Sequence, residues 1–304
     1  FKPFVYLAAL DQMTPASRLS NLQRTYTVND KPWEPQNFSE DFELDVSMRT
    51  ALKLSHNRAT VDLAMQTGLE RLVALTGEFQ FSTPFKAYPS LALGAFEVVP
   101  LDLARAYCAL AAEGVLPYPM SLKDVADENN RVLQRAHISF ERVTSPDRAF
   151  VVSDMLTSVV TEGTARSLQQ WGLYRSVAGK TGTTNDFRDA WFIGYTPDIL
   201  ALVWVGFDNA NSIHNTGSSA ALPIWAELMQ ALPWYLTGTG FRQPTGVVVK
   251  TVCSETGLLS EGRTCPLPME EFFLDKNVPT EGCPVHASQN RLKRIIDGIK
   301  GIFD

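Results

Sequence analysis

Apolar residues recur at helical spacing over much of the first two thirds of the chain, then at strand-like density. Residues 3–10 predict an opening helix with Pro3 in its first turn, where a missing N–H costs least. Val46, Met48, Ala51, Leu52 and Leu54 give 45–54 a helical period that should end near Ser55-His56-Asn57. The next helix should carry Val61, Leu63, Ala64 and Met65 and stop at Gly68. Pro100 to Ala112 predicts a long apolar helix closed by Gly114, with Leu101, Leu103, Ala104, Tyr107, Cys108 and Leu110 as core. Ser145-Pro146-Asp147 is a helix start, and that helix carries Phe150, Val151, Met155, Leu156, Val159 and Val160 to an end at Glu162–Ala165.

The period then shortens. Arg175–Gly179, Ala190–Tyr195 and Leu200–Phe207 are β-branched or aromatic runs, the last two joined by the turn Thr196-Pro197-Asp198. Three such runs in series predict an antiparallel meander, and Pro223–Leu232 returns to helix. Helices, then a meander, then a closing helix make an α+β layout. Residues 14–40 are expected as a polar loop anchored by Trp33 and Phe38. Residues 115–145 should be a peripheral excursion turning at Asp127–Asn130. From about residue 241 loops, prolines and cysteines dominate, up to a final amphipathic helix near Asn290–Phe303 that should dock on its own domain. The expected units are 1–240 and a small cysteine-containing extension, 241–304.

Composition narrows the partners. The 304 residues are 45% hydrophobic and 20% charged, enough for a real core. A net charge of −6 argues against nucleic acid as the main partner. No run reaches the roughly 20 apolar residues of a membrane span. Phe1 follows no initiator methionine, so an upstream anchor is expected outside this sequence. Of the four cysteines, Cys108 reads as a small buried hydrophobe. Cys265 and Cys283, each followed by Pro, are the expected disulfide, which fits an oxidising compartment. With no C-x-x-C pair and only His286 nearby, no metal site is expected, and no cofactor is called for.

The chemistry concentrates in Ala178-Gly179-Lys180-Thr181-Gly182-Thr183-Thr184-Asn185-Asp186. Gly179-Lys180-Thr181 resembles the tail of a phosphate loop, but that motif needs a glycine five positions before Gly179, where Tyr174 stands. A cation beside two hydroxyls at a strand end suits an anionic, peptide-like substrate instead. Two further segments carry candidate groups. Lys2 starts the first helix, where a solvated lysine would be ordinary. Ser55 and Asn57 flank a helix break, where capping alone would explain them. In a loop, however, both can face one cleft. His56 reads as a spacer, and Asp186, Arg188, Asp189 and Gly163-Thr164 as local turn and cap residues.

Together these pieces resemble the serine penicillin-recognising enzymes, whose motifs S-x-x-K, S-x-N and K-T-G occur in that order. More narrowly, the chain resembles the transpeptidase domain of class A, bifunctional penicillin-binding proteins. The resemblance covers residues 1 to about 235 and includes Trp33-x-Pro35-x-Asn37, Leu91-Ala92-Leu93-Gly94-Ala95, Asp189 to Tyr195 and Val203-Trp204-Val205-Gly206. It implies a five-stranded antiparallel sheet flanked by helices, plus an all-helical subdomain. It implies Lys2 as base, Ser55 as proton relay, Asn57 on the acyl-donor amide and Lys180 as the source of positive potential. Thr181 and Thr183 would bind the substrate carboxylate, with Gly182 allowing close approach. The nucleophilic serine would fall two positions ahead of Phe1, since no Ser-x-x-Lys occurs in the chain; the nearest forms are Thr50-x-x-Lys53 and Thr83-x-x-Lys86. The implied activity is cross-linking of peptidoglycan stem peptides through an acyl-serine that β-lactams also form. The alternatives are a carboxypeptidase or β-lactamase of the same fold, or a β-lactam-binding scaffold without catalysis. The implied setting is the periplasmic side of the inner membrane or the outer cell surface, with an anchor, a glycosyltransferase domain and cell-wall synthesis partners beyond this chain.

Overall fold

A computed structural model of the chain describes residues 1–38, 43–173, 175–260 and 265–286. Seven helices and thirteen strands are placed among the described residues. At the centre lies α1 (Lys2–Ala9), buried along its entire length. A helix that is apolar all round needs neighbours all round. They are α2 (Met48–Lys53), α3 (Asn57–Thr67), α4 (Leu69–Glu78) and, beyond α5 (Pro100–Ala111), α6 (Pro146–Thr161). Phe4 sits in an aromatic nest with Phe79, Phe81 and Tyr107 at centroid distances of 5.1, 5.9 and 5.5 Å. α4 was not expected, because Gly68 reads as a stop. In the structure it is a hinge with φ +96 from which a second helix departs at once.

Residues 14–40 hold short strands in addition to loop. β1 (Arg18–Ser20) pairs with β4 (Asp45–Ser47), and β2 (Tyr26–Val28) with β3 (Lys31–Trp33). Residues 45–47 are therefore strand, not the first turn of a helix; Ser47 caps α2 by accepting from the Thr50 amide at 3.1 Å. Trp33 packs on Tyr26, but Phe38 is 76% exposed and anchors nothing in the core. The excursion is as expected, built from β5 (Val115–Pro117) on β8 (Phe140–Arg142) and the hairpin β6 (Asp124–Ala126) to β7 (Val132–Arg135). Leu101, expected in the core, faces outward on α5, while Leu103, Tyr107 and Leu110 face inward.

β9 (Ala178–Thr183), β10 (Asp189–Tyr195) and β11 (Leu200–Gly206) form the expected meander, in the order β11-β10-β9. Among the described residues this sheet has three strands, and the other sheets have two each. The single five-stranded sheet is thus corrected to a mixed helix and strand fold with a three-stranded centre. β9 also begins three residues later than expected and runs through Gly179 and Gly182. Both glycines lie under bulky side chains of β10: a Cβ at Gly179, which pairs with Gly194, would lie 2.9 Å from the ring of Phe192, and one at Gly182 would lie 3.1 Å from the Cβ of its partner Trp191. Glycine here makes room for cross-strand aromatics and does not end the strand. α7 (Leu222–Gln230) closes the sheet, with Trp225 Nε1 donating to the Gly194 and Ala201 carbonyls at 3.2 and 3.1 Å.

Residues 241–286 hold a further element that the loop-rich composition hid. β12 (Val247–Cys253) and β13 (Pro268–Leu274) pair in register over seven residues. The lobe is fastened to the helical core by Arg49, whose guanidinium spans Asp154 on α6 and Glu271 on β13. Arg49 Nε donates to Glu271 Oε2 at 2.7 Å and Nη1 to Ser158 Oγ at 2.7 Å. The Glu271 end of this network is dry, at 1% exposure, while Asp154 is half-buried. Phe150 and Phe272 stack edge-on at 5.2 Å beside it.

Two expectations for this lobe are corrected. No disulfide joins Cys265 to Cys283. The case against a metal-binding arrangement also fails, because the fold gathers Cys253, Cys265, Cys283 and His286 with donor atoms all within 4.8 Å of one another. The decisive pair is Cys283-x-x-His286, a spacing that a search for paired cysteines passes over. The final helix expected near Asn290–Phe303 lies outside the described residues. Among the described residues no helix is long and apolar enough to cross a membrane.

Candidate active site

Lys2, Ser55, Asn57 and Lys180 come from three distant segments and meet at one point. α1 delivers Lys2 at its first residue, with Pro3 in the first turn as expected. Lys2 Nζ donates to Asn57 Oδ1 at 2.7 Å, to the Ser55 carbonyl at 2.6 Å and to Ser55 Oγ at 3.1 Å. Lys180 Nζ reaches Ser55 Oγ from the other side at 2.9 Å and also donates to the Thr181 carbonyl at 2.9 Å. One hydroxyl therefore stands between two amines.

The loop that carries this hydroxyl is held under strain. α2 ends at Lys53, α3 starts at Asn57, and Ser55 between them adopts φ +60. A non-glycine residue in that region costs about 1–3 kcal/mol and persists only where its surroundings impose it. Capping does not explain Ser55 or Asn57. The Asn57 side chain turns to Lys2 and to the Gln36 carbonyl, at 2.5 Å. The start of α3 is capped from outside by Asn37, whose Oδ1 accepts from the Asn57 and Arg58 amides at 2.8 and 3.1 Å. Asn37, noticed in the sequence only within a motif, thus fixes the angle at which Asn57 leaves the helix.

Burial sets the electrostatics. Lys2 and Lys180 are only 8% and 5% exposed. Desolvation, reinforced by the neighbouring Lys180 charge, drives the Lys2 amine well below its ordinary pKa. Desolvation alone lowers Lys180 to about 7. Two like charges that share one hydroxyl in a dry site favour loss of a proton. With Lys2 neutral, the Ser55 hydroxyl can donate to its lone pair while Lys180 donates into Ser55 Oγ. That is a short, continuous proton path.

β9 supplies the wall. Two clefts of about 670 and 990 Å³ border it, and Thr183 lines both. Lys180 and Gly182 line the first, with Phe96 and Trp191; Thr181 lines the second, with Ser55 and Asn57. This is the alternation of a pleated strand, with groove on either side. Among the described residues β9 has a sheet neighbour, β10, along one edge only. Thr183 Oγ1 accepts from the Gly217 amide at 3.0 Å, which leaves its own O–H as a donor. Thr181 Oγ1 lies 2.7 Å from Thr164 Oγ1. Thr164 was expected only to cap α6. It is delivered instead by a close crossing at Gly163, where a Cβ would come within 2.3 Å of the Lys53 carbonyl. The His56 backbone carbonyl accepts from the Thr60 hydroxyl at 2.6 Å.

The chain as a whole is similar to known proteins. The "Penicillin binding protein transpeptidase domain" family matches residues 1–230, and the "Penicillin-binding protein 1A, C-terminal domain" family matches residues 243–288. Penicillin-binding protein 1A of Aquifex aeolicus is 38% identical over 273 residues, covering 88% of this chain and 37% of that protein. Its counterpart in Neisseria meningitidis serogroup A is 32% identical over 260 residues, covering 82% of this chain and 32% of that protein. The chain thus spans about a third of the length of these curated relatives. Among solved structures, penicillin-binding protein 1A from Haemophilus influenzae superposes with a TM-score of 0.86 at 25% identity, over 93% of this chain and 48% of that one. The PonA1 protein from Mycobacterium tuberculosis, solved in complex with penicillin V, shares the fold with a TM-score of 0.69 at 22% identity, over 80% of this chain and 70% of that one. With the amines, the strained Ser55 loop and the β9 wall in place, and three quarters of its length matched, the chain belongs to the penicillin-binding protein transpeptidase family.

Proposed function

We propose that this chain is the acyl-transfer module of a peptidoglycan D,D-transpeptidase, and that its reaction runs through the Lys2–Ser55–Lys180 path. The observation that carries the reading is the Ser55 hydroxyl set between two buried amines at 3.1 and 2.9 Å. Buried lysines with depressed pKa are candidates for acid–base work, not for surface solvation. The nucleophile in this reading is a serine two positions before Phe1, three residues ahead of Lys2, the spacing that puts two side chains on one helix face. Lys2 takes its proton as it attacks the carbonyl of the penultimate D-Ala. The tetrahedral oxyanion is met by the Thr183 amide and the serine's own amide, an interaction worth about 3–4 kcal/mol. Collapse expels D-Ala, whose amine receives the proton from Lys2 through Ser55. An amine of a second stem then attacks the acyl-serine, and the proton moves in the reverse direction.

Asn57 holds the donor amide. Thr181 and Thr183 bind the terminal carboxylate, and Lys180 supplies the positive potential. The donor stem lies along the open edge of β9 as an added strand. β-Lactams acylate the same serine; penicillin-binding protein A from M. tuberculosis, which shares the fold, has been solved as an imipenem acyl-enzyme complex. Residues 1–240 form the catalytic unit and 241–304 the extension. The parent protein is anchored on the periplasmic side of the inner membrane, beside a glycosyltransferase domain.

The test uses the full-length protein and a fluorescent penicillin. A stable covalent adduct should form and vanish when the serine two positions before Phe1 is changed to alanine. Release of the label within minutes would replace the transpeptidase with a hydrolase of the same fold. No adduct at all would leave a scaffold and sink the proposal.

A further inference from the structure

Outside the lining of both clefts, the C-terminal lobe buries a second polar cluster that acyl transfer does not use. Cys253, Cys265 and Cys283 lie at 1%, 3% and 0% exposure, and His286 at 5%. The three sulfurs form a small buried group of their own, apart from the main core. The His286 ring turns Nδ1 toward them, 3.5 Å from Cys253 Sγ and 3.2 Å from Cys283 Sγ.

These separations are those of ligands on one metal ion. With Zn–S of about 2.3 Å and Zn–N of about 2.0 Å, the S···N edge of a tetrahedron is about 3.5 Å and the S···S edge about 3.8 Å. The two S···N separations fall at or just under that edge, and all four donor atoms fit within 4.8 Å. A disulfide would use two of the sulfurs and leave the third, with a buried imidazole, unexplained. Four protein ligands with no open position are the pattern of a structural site, and an S₃N donor set is one that suits zinc among common divalent ions.

The backbone presents the ligands as a built site. Cys253 ends β12 and begins a tight turn, its carbonyl accepting from the Gly257 amide at 2.8 Å and its amide donating to the Leu258 carbonyl at 2.8 Å. The Cys283 amide donates to the Leu259 carbonyl at 2.9 Å, which brings the second ligand segment beside that turn. Cys283-x-x-His286 then supplies two ligands from one helical turn. Outside the cluster, His286 Nε2 faces Glu255 Oε2 at 3.7 Å. A carboxylate behind the far nitrogen of a metal-bound histidine is the usual second layer, fixing tautomer and ring orientation.

Stability gives the lobe a use for such a site. Apart from the sulfurs, its buried apolar residues are few: Val252 and Phe273 close on Ala16 from the turn before β1, and Val247 and Leu274 join the main core. A two-stranded ladder with so small a core is marginal in water and is commonly stapled by a disulfide or a metal.

We propose that Cys253, Cys265, Cys283 and His286 form a structural zinc site that holds the β12–β13 lobe together. The proposal is independent of the transpeptidase reading, since none of its ligands lines the Ser55 cleft. Binding would release the thiol protons and form three thiolate bonds and one imidazole bond, with no redox change.

The test begins with the whole chain, isolated without added reductant or metal-affinity resin. Elemental analysis should find about one zinc per chain, and peptide mapping should find the three thiols unoxidised. Replacement by cobalt(II) should give the intense visible bands and thiolate charge transfer of a tetrahedral S₃N ion. Cys265→Ser should weaken zinc retention at least tenfold against a competing chelator, Glu255→Gln by about tenfold, and His286→Cys should retain the metal. Cys108→Ser, outside the cluster, should change nothing. Should the ligand variants not fold, the wild-type metal content and cobalt spectrum still decide. A disulfide between any two of Cys253, Cys265 and Cys283 would overturn the proposal. So would an iron–sulfur chromophore, or a chain that binds neither zinc nor cobalt when reduced.

Discussion

The Ser55 cleft and the cysteine–histidine cluster are both polar sites sunk in apolar surroundings, and they are built on opposite plans. The cleft draws its groups from residues 2, 55–57 and 180–183, on α1, the α2–α3 loop and β9. It leaves them poised: two amines held away from their preferred charge, one serine at φ +60, and groove on both sides of the strand. The cluster draws on a single lobe and points every donor at one centre, with each ligand residue at 5% exposure or less. The first arrangement keeps room for a reacting molecule and stores unfavourable electrostatics. The second turns its donor atoms on one shared centre, and none of its residues lines either cleft. Polar burial alone therefore says little about catalysis; what separates the two is whether the groups face each other or an opening.

The sharpest way to break this comparison is to remove the poised amine. Lys2→Met in the full-length protein should lower the rate of β-lactam acylation by about 10³-fold, within the range for loss of a general base. Cys265→Ser, in the molecules that fold, should leave that rate within about twofold. If Lys2→Met acylates at the wild-type rate, the amines are structural and the contrast between the sites collapses.

The two regions meet through Arg49, and cutting there should show whether the lobe depends on the helical core. Arg49→Ala leaves Glu271 buried beside Asp154 with no cation. Loss of one partner from a buried pair costs about 3–5 kcal/mol. Urea unfolding should show that loss, and limited proteolysis should cut first within 241–286. Glu271→Gln, which keeps the shape and lowers the charge, should cost clearly less. Equal effects from both variants would mean that packing of Phe150 on Phe272, and not charge, fastens the lobe.

Legibility in the sequence follows the same divide. α1, α3, α5, α6 and α7 are readable because their apolar period is strong and their ends carry Pro or Gly. The meander is readable from β-branched and aromatic runs. α4 is hidden because Gly68, a helix stop by composition, turns the chain straight into another helix. β12 is hidden behind the prolines and cysteines around it, although Val247-Val-Val-Lys-Thr-Val-Cys253 is a β-branched run by itself. In the cleft, Lys2, Ser55, Asn57 and Lys180 can be grouped only through motif order, because local rules give each a plainer role as cap or surface charge. Thr164 and Asn37 carry no local signal, since their partners Thr181 and Asn57 lie 17 and 20 residues away. In the lobe the signal is present in Cys283-x-x-His286 but falls outside the paired-cysteine spacing of common metal motifs.

A gentler test uses pH. Lys180 has a pKa of about 7 in the folded chain against 10.5 when unfolded. Between those values the unfolded chain holds a proton that the folded chain has released, so stability rises with pH across the window. From pH 7 to about 9.5 the gain should be a few kcal/mol, and it is absent below the folded value, where both states are charged. Lys2, shifted in the same direction, adds to the slope. Urea midpoints for wild type should climb over this range, and those of Lys180→Met should climb less. A wild-type curve that is flat or falls with pH would mean that Lys180 keeps its charge in the cleft, against the idea of a site that holds its cations at a cost.

The smallest predicted effect distinguishes a wall that merely stands from one that is tuned. Thr164 touches Thr181 by a single hydroxyl contact at 2.7 Å, and Gly163 brings the end of α6 close enough to make it. Thr164→Val keeps the shape and removes the hydroxyl, at a cost of about 1 kcal/mol. If Thr181 needs that partner to aim at a carboxylate, the variant should acylate about fivefold more slowly at low β-lactam concentration, with the saturating rate little changed. Thr164→Ser should keep the wild-type rate, because it retains the hydroxyl and loses only the methyl. If valine and serine slow the reaction equally, the lost contact is packing and β9 is positioned by its neighbours on β10 alone. If only valine does, the hydroxyl pair belongs to the binding surface, and the cleft extends one residue further toward α6 than its sequence motifs mark.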